Sequence, residues 1–174
     1  MEEPHHAARS RSIAGRLLGV TDAGSLGAIQ EATFAKAASY TAASYPPESR
    51  LSPEQLNRYL DQRAFAVVGS TRPDGRPHSV PTSYVRRGAA LWMPIGKGSA
   101  RERNIRANPK VSLVVTEGDH DRHVAVIIEG TADVVDCDSA PSDLREQMDG
   151  DWIEGWVRLR ANRVMSYASP GMVS

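Results

Sequence analysis

The chain has 174 residues, 40% of them apolar and 24% charged, which suits one soluble, cored domain and leaves little for a second. Lys+Arg and Asp+Glu both number 21, so a protein relying on bulk attraction to nucleic acid or an anionic membrane is not expected. The single Cys137 excludes an internal disulfide and any zinc site built on cysteines.

Positive charge is carried mostly by arginine, with Lys36, Lys97 and Lys110 the only lysines. Glu2 and Glu3 stand where a secretory leader would be basic, and Arg16 interrupts the apolar run from Ile13 to Val20. No run approaches the length of a membrane span, so a cytoplasmic protein is expected. Residues 1–50 read as an N-terminal extension, flexible to about residue 25 and then weakly helical from Leu26 to Ala43. Residues 51–174 read as the folded domain.

Ser52-Pro53-Glu54-Gln55 predicts a helix start, with Ser52 as cap, Pro53 at the first helical position and Gln55 completing a capping box. Ala64 to Ser70 is a β-branched apolar run. Arg72-Pro73-Asp74-Gly75 has the residues of a tight turn, and Arg76 to Arg86 resumes as the second strand of a hairpin. Ala89–Ile95, Val111–Thr116, Val124–Val135 and Val157–Tyr167 supply four more strands, with a short helix within Asp138–Met148. Six strands in hairpin succession predict a mainly β fold, an antiparallel β-barrel with flanking helices, whose closure removes exposed edges.

Ile95-Gly96-Lys97-Gly98-Ser99-Ala100-Arg101-Glu102 lies between a strand and a predicted helix. Ser99 and Glu102 have capping-box spacing, the glycines permit close backbone approach, and Lys97 and Arg101 add charge at a helix N-terminus. Those features together suit a phosphate, or equally an ordinary capped helix with solvated arginines, and the order of residues is not that of a Walker A loop. Asp119-His120-Asp121-Arg122-His123 reads as a solvated hairpin tip, and no metal site is expected there. Trp152 and Trp156 read as core anchors, or as the walls of an aromatic pocket. No nucleophile setting surrounds any serine.

From about Pro53 to Tyr167 the chain resembles the split-barrel flavin- and deazaflavin-binding proteins related to pyridoxamine 5′-phosphate oxidase. The resemblance rests on Arg72-Pro73-Asp74-Gly75-Arg76-Pro77-His78, Val80-Pro81, Gly98 to Ile105, Asn108 to Leu113 and Glu129-Gly130-Thr131-Ala132, in that order. It implies a six-stranded antiparallel split barrel of the FMN-binding type, a homodimer, and FMN or coenzyme F420 exchanging hydride with a small organic substrate. It further implies phosphate at Lys97, Ser99, Arg101 and Asn104, and the ring against Val80, Pro81, Thr82, Met93, Pro94 and Ile95. Trp156 would come from the partner to close the pocket. His78 and Tyr84 are candidates for acid–base work, with no catalytic residue assigned. Arg101 stands where many relatives carry Lys, and Pro94 removes an N–H that relatives often offer. The alternative of the same fold is a non-catalytic flavin or haem carrier, or a module without cofactor acting through residues 1–50.

Overall fold

The computed structural model describes residues 24–148 and 150–172. The expectation of flexibility before residue 25 therefore falls almost wholly outside the described residues. Seven strands form one antiparallel sheet: β1 (Phe65–Thr71), β2 (Pro77–Ser83), β3 (Val85–Arg87), β4 (Ala90–Ile95), β5 (Lys110–Gly118), β6 (His123–Asp136) and β7 (Gly155–Ala168). Five helices flank it: α1 (Leu26–Ala35), α2 (Ser39–Ser44), α3 (Pro53–Asp61), α4 (Ala100–Ala107) and α5 (Asp143–Gln147). No helix among the described residues is long and apolar enough to cross a membrane.

The strand order is β2-β1-β5-β6-β7-β4-β3. The chain thus passes from β2 at one edge of the sheet to β3 at the other through the single residue Tyr84, so the sheet must curl until its edges are neighbours. Here the sequence expectation of six strands is corrected to seven. The run from Arg76 to Arg86 breaks at Tyr84, whose backbone N–H donates to Ala64 O at 3.1 Å and whose hydroxyl donates to Leu60 O at 2.8 Å. Those anchors, at the end of α3 and in the α3–β1 connection, turn the chain, and β3 then pairs with β4 instead of β1. The curl does not close: β2 and β3 keep free edges, so the molecule is a half-barrel split along β2.

Core positions alternate along β1, β5 and the first half of β6, as strands buried on one face require. Their inward side chains, including Val68, Leu113 and Ile128, join Leu91, Met93 and Leu159 in the main core. The opposite face carries a register-aligned apolar row across five strands: Pro81, Val67, Val114, Ile127 and Met165. Phe65, beside this row, is 72% exposed and Val67 46%. A register shift after Glu129 bends β6 against β7. A side chain at Gly130 would run into the Arg160 backbone, which explains the glycine there.

The single weak helix expected over Leu26–Ala43 is two helices, separated where Ala38 becomes extended. α1 belongs to the barrel's core. Leu26 is buried in it, and Gln30 joins two distant segments: its Oε1 accepts from Ser166 Oγ at 2.6 Å while its Nε2 donates to Leu51 O at 2.9 Å. Leu51 N–H donates to Ser166 Oγ at 2.9 Å, and Val164 N–H to Thr33 Oγ1 at 3.1 Å. Every partner in this network is buried, so each bond removed leaves a polar group without water.

Candidate functional site

A cleft of about 540 Å³ runs along the free edge of β2, within the usual size range of small-molecule sites. His78, Val80, Pro81, Thr82 and Ser83 of β2 form one wall with Phe65. Gly96, Ser99, Ala100 and Arg101 form another, and Trp152 a third. Proline cannot donate to a ladder, so Pro81 directs its nitrogen away from β1. In an antiparallel strand a residue's N–H and C=O point the same way, which places the Pro81 carbonyl and the main-chain groups of Ser79 and Ser83 on the free edge.

The second wall is the start of α4. Ser99 caps it, its Oγ accepting from Glu102 N–H at 3.2 Å. The N–H groups of Ala100 and Arg101 have no intrahelical acceptor, as the first turn of a helix dictates. Arg101 folds back so that Nη2 donates to the Pro94 carbonyl, and its buried Nε has no hydrogen-bond partner. No carboxylate pairs with it among the described residues, and burial holds its pKa below the ordinary arginine value. β3 pairs only with Ala90–Trp92, so β4 has a free edge at Pro94. The carbonyl of Pro94 serves Arg101 on that edge, and its missing N–H costs the ladder with β7 nothing.

Two carboxylates occupy the loop before α4. Glu102, expected to reach back to the cap residue Ser99, instead accepts from Gly98 N–H at 2.6 Å and binds Arg106 at 2.9 Å. The Arg106 bond, then the Gly98 N–H, keeps its carboxyl below the usual glutamate range. Glu154, from the segment between α5 and β7, accepts from Lys97 N–H at 2.8 Å, and its own N–H donates to Ile95 O at 3.0 Å.

Of the residues singled out in the sequence, Val80, Pro81, Thr82, Ser99 and Arg101 line the cleft together with His78. Lys97 is exposed on the adjoining loop. The others are not brought to the cleft surface. Met93 and Ile95 point into the main core, and the carbonyl of Pro94 is its contribution. Asn104 is buried behind α4, its Nδ2 donating to Ser70 Oγ at 3.0 Å; that oxygen is 3.5 Å from His78 Nδ1. Trp156 is 0% exposed, packed in a satellite core with Val85, Trp92, Leu144 and Ile153. A side chain so enclosed has no surface to offer a partner subunit's pocket. Trp152 is the tryptophan of the cleft, 57% exposed there. Tyr84 is excluded from acid–base work at the cleft: it is buried, committed to Leu60 O, and burial drives its phenol pKa well above the ordinary value. Sequence reasoning missed Glu154 and Phe65, neither of which sits in a local pattern that marks a site.

Asp119 to His123 form the β5–β6 turn, closed by Asp119 N–H to Arg122 O at 2.9 Å. Among the described residues no three metal-capable side chains converge.

Several solved structures share this architecture. A conserved hypothetical protein, Rv2991 from Mycobacterium tuberculosis, aligns with a TM-score of 0.61 at 20% identity, over 71% of this chain and 89% of that one. A FAD-binding protein from Mesorhizobium loti aligns with a TM-score of 0.53 at 26% identity, over 67% and 92%. HutZ, the heme storage protein from Vibrio cholerae, aligns with a TM-score of 0.56 at 18% identity, over 68% and 94%. No curated protein matches the chain. The family model for pyridoxamine 5′-phosphate oxidase matches residues 52–167, which takes in every strand and α4 except the last residue of β7. By its sequence and its split, curled sheet, the chain belongs to the pyridoxamine 5′-phosphate oxidase family.

Proposed function

We propose that the cleft holds a flavin-type cofactor, FMN or coenzyme F420, and that the protein is an oxidoreductase acting on a small organic substrate. The observation that carries this reading is Arg101, a largely buried guanidinium with an unpartnered Nε and no carboxylate, at the N-terminus of a helix. A buried cation without a counter-ion is costly, and an anionic ligand group there relieves the cost. Arg101, Ser99 and the first N–H groups of α4 would hold a phosphate, with Lys97 nearby in solvent. The edge of β2 would meet the polar rim of a ring at the Ser79, Pro81 and Ser83 main chain, while Val80, Pro81 and Trp152 supply apolar and aromatic contact. The FAD-binding relative at 26% identity supports the same class of cofactor.

When bound, the cofactor supplies the hydride chemistry, and the chain's residues orient it and exclude water. His78 is the one imidazole lining the cleft among the described residues. No second acid or base stands beside it among the described cleft residues, and that observation favours the alternative, a non-catalytic carrier using the same site. Titration with FMN and, separately, F420 separates these cases. Saturable quenching of tryptophan emission by one of them is expected, because Trp152 faces the occupant. Hydride transfer to a screened acceptor then marks an enzyme, and binding without turnover marks the carrier.

A second copy of this chain would cover the apolar row from Pro81 to Met165. The row runs into the cleft wall through Phe65 and Pro81, so the covering copy would also close the cleft. Val67→Asp places a charge at its centre. Light scattering should show a dimer for the wild type and a monomer for the variant, with cofactor binding weakened in parallel. A wild-type monomer with full cofactor affinity would overturn the assembly.

A further inference from the structure

The carboxylates on the phosphate loop bear on which phosphate it takes. A terminal phosphomonoester presents three oxygens and close to two negative charges at neutral pH. A phosphodiester presents two free oxygens and one charge. The loop does not offer all its donors: Lys97 N–H is held by Glu154, and Gly98 N–H by Glu102. What remains is the Arg101 guanidinium, the Ser99 hydroxyl and the opening N–H groups of α4, with the Lys97 ammonium in solvent; two backbone donors of the loop are withheld from a third phosphate oxygen.

The two glutamates are not equivalent. Glu102 is neutralised by Arg106 one turn along α4. Glu154 has no ion-pair partner among the described residues, and its Oε2 lies 3.9 Å from where a Cβ on Gly96, a cleft residue, would stand. Its backbone is tied to Ile95 O, which keeps the carboxylate over the loop.

Building on the phosphate reading of this site, we infer that the cleft selects a cofactor with its phosphate inside a diester linkage over one with a terminal monoester, and that Glu154 sets the preference. Of the two candidates this favours F420, whose phosphate joins two parts of the molecule, over FMN, whose phosphate ends it. Glu154 excludes the doubly charged group by repulsion and by holding the Lys97 N–H, whereas Arg101 attracts either form.

Three ligands with one ring system test this: riboflavin, FMN and the monomethyl phosphate ester of FMN. Their dissociation constants are measured on the full chain and on Glu154→Gln, which keeps an acceptor for Lys97 N–H and sits on the surface, where folding is insensitive to it. Wild type should bind the methyl ester about tenfold more tightly than FMN. Glu154→Gln should tighten FMN by about fivefold to tenfold, the methyl ester less, and riboflavin not at all. FMN binding as tightly as its ester in the wild type, or a variant that shifts all three ligands alike, would overturn the inference. Phosphate-dependent binding that ignores Glu154→Gln sinks this inference and leaves the phosphate reading standing. Failure of these three ligands and of F420 to bind either protein removes both.

Discussion

Arg101→Glu should reduce cofactor affinity by more than about 100-fold, the loss expected when a charge-assisted contact becomes a repulsive one in a partly buried site. Three features set the size of the effect. The guanidinium lines the cleft, its Nε is buried without a partner, and no carboxylate among the described residues competes for it. Arg101→Gln leaves a polar side chain while removing the charge, and should lose about tenfold. Isothermal titration of both variants, with thermal unfolding to confirm that each remains folded, measures this directly. If folded Arg101→Glu bound the cofactor normally, the phosphate would have to lie elsewhere than the start of α4. Riboflavin provides the internal control, because a ligand without phosphate should respond far less to the charge.

Removing residues 1–36, and with them α1, should cost several kcal/mol of stability or abolish cooperative unfolding. Leu26 alone contributes roughly 2 kcal/mol by its burial. The deletion also removes the hydrogen-bond partners of Ser166 Oγ, Leu51 O and the Val164 N–H, each bond worth about 0.5–1.5 kcal/mol net. Against a typical total of roughly 5–15 kcal/mol, that sum is a large part of what holds the domain together. Thermal and urea unfolding of the truncated chain check it. A truncated protein with an unchanged midpoint would show α1 to be an appendage. The physical distinction matters for function, since loss of activity on truncation would report on folding before it reported on any role of the extension.

Much of the fold is legible in the residues because its determinants are local. The Ser52–Gln55 capping box forms as written, both of its hydrogen bonds present. Strand runs such as Val111–Thr116 and Val124–Val135 lie within β5 and β6, since alternation along a strand reports the face that is buried. The start of α4 was likewise recognisable, because Ser99 caps it three residues before the Glu102 N–H it accepts from, with glycines just ahead.

Other features are settled only by distant partners. Tyr84 reads as one more strand residue until Leu60 and Ala64 capture it and divide the run in two. Met93 and Ile95 share a strand with Pro94, and all three are buried because β4 is covered on both faces, so alternation cannot say which group reaches the cleft. Two tryptophans four residues apart have opposite fates: Trp156 begins β7 inside the satellite core, while Trp152 lies on the preceding turn and faces the cleft. Gln30 and Thr33 look like ordinary polar helix residues until Ser166 and Val164 arrive beside them.

The sequence by itself determined most of the segments, the serine caps of α3 and α4 and a loop chemically suited to phosphate, because those depend on contacts between near neighbours. The tertiary structure alone decided where the sheet splits, which aromatic lines the opening, and that Glu154 sits on the N–H of Lys97. Those outcomes depend on strand order and tertiary contacts, which bring together residues from 20 to 57 positions apart and leave no local trace in either partner.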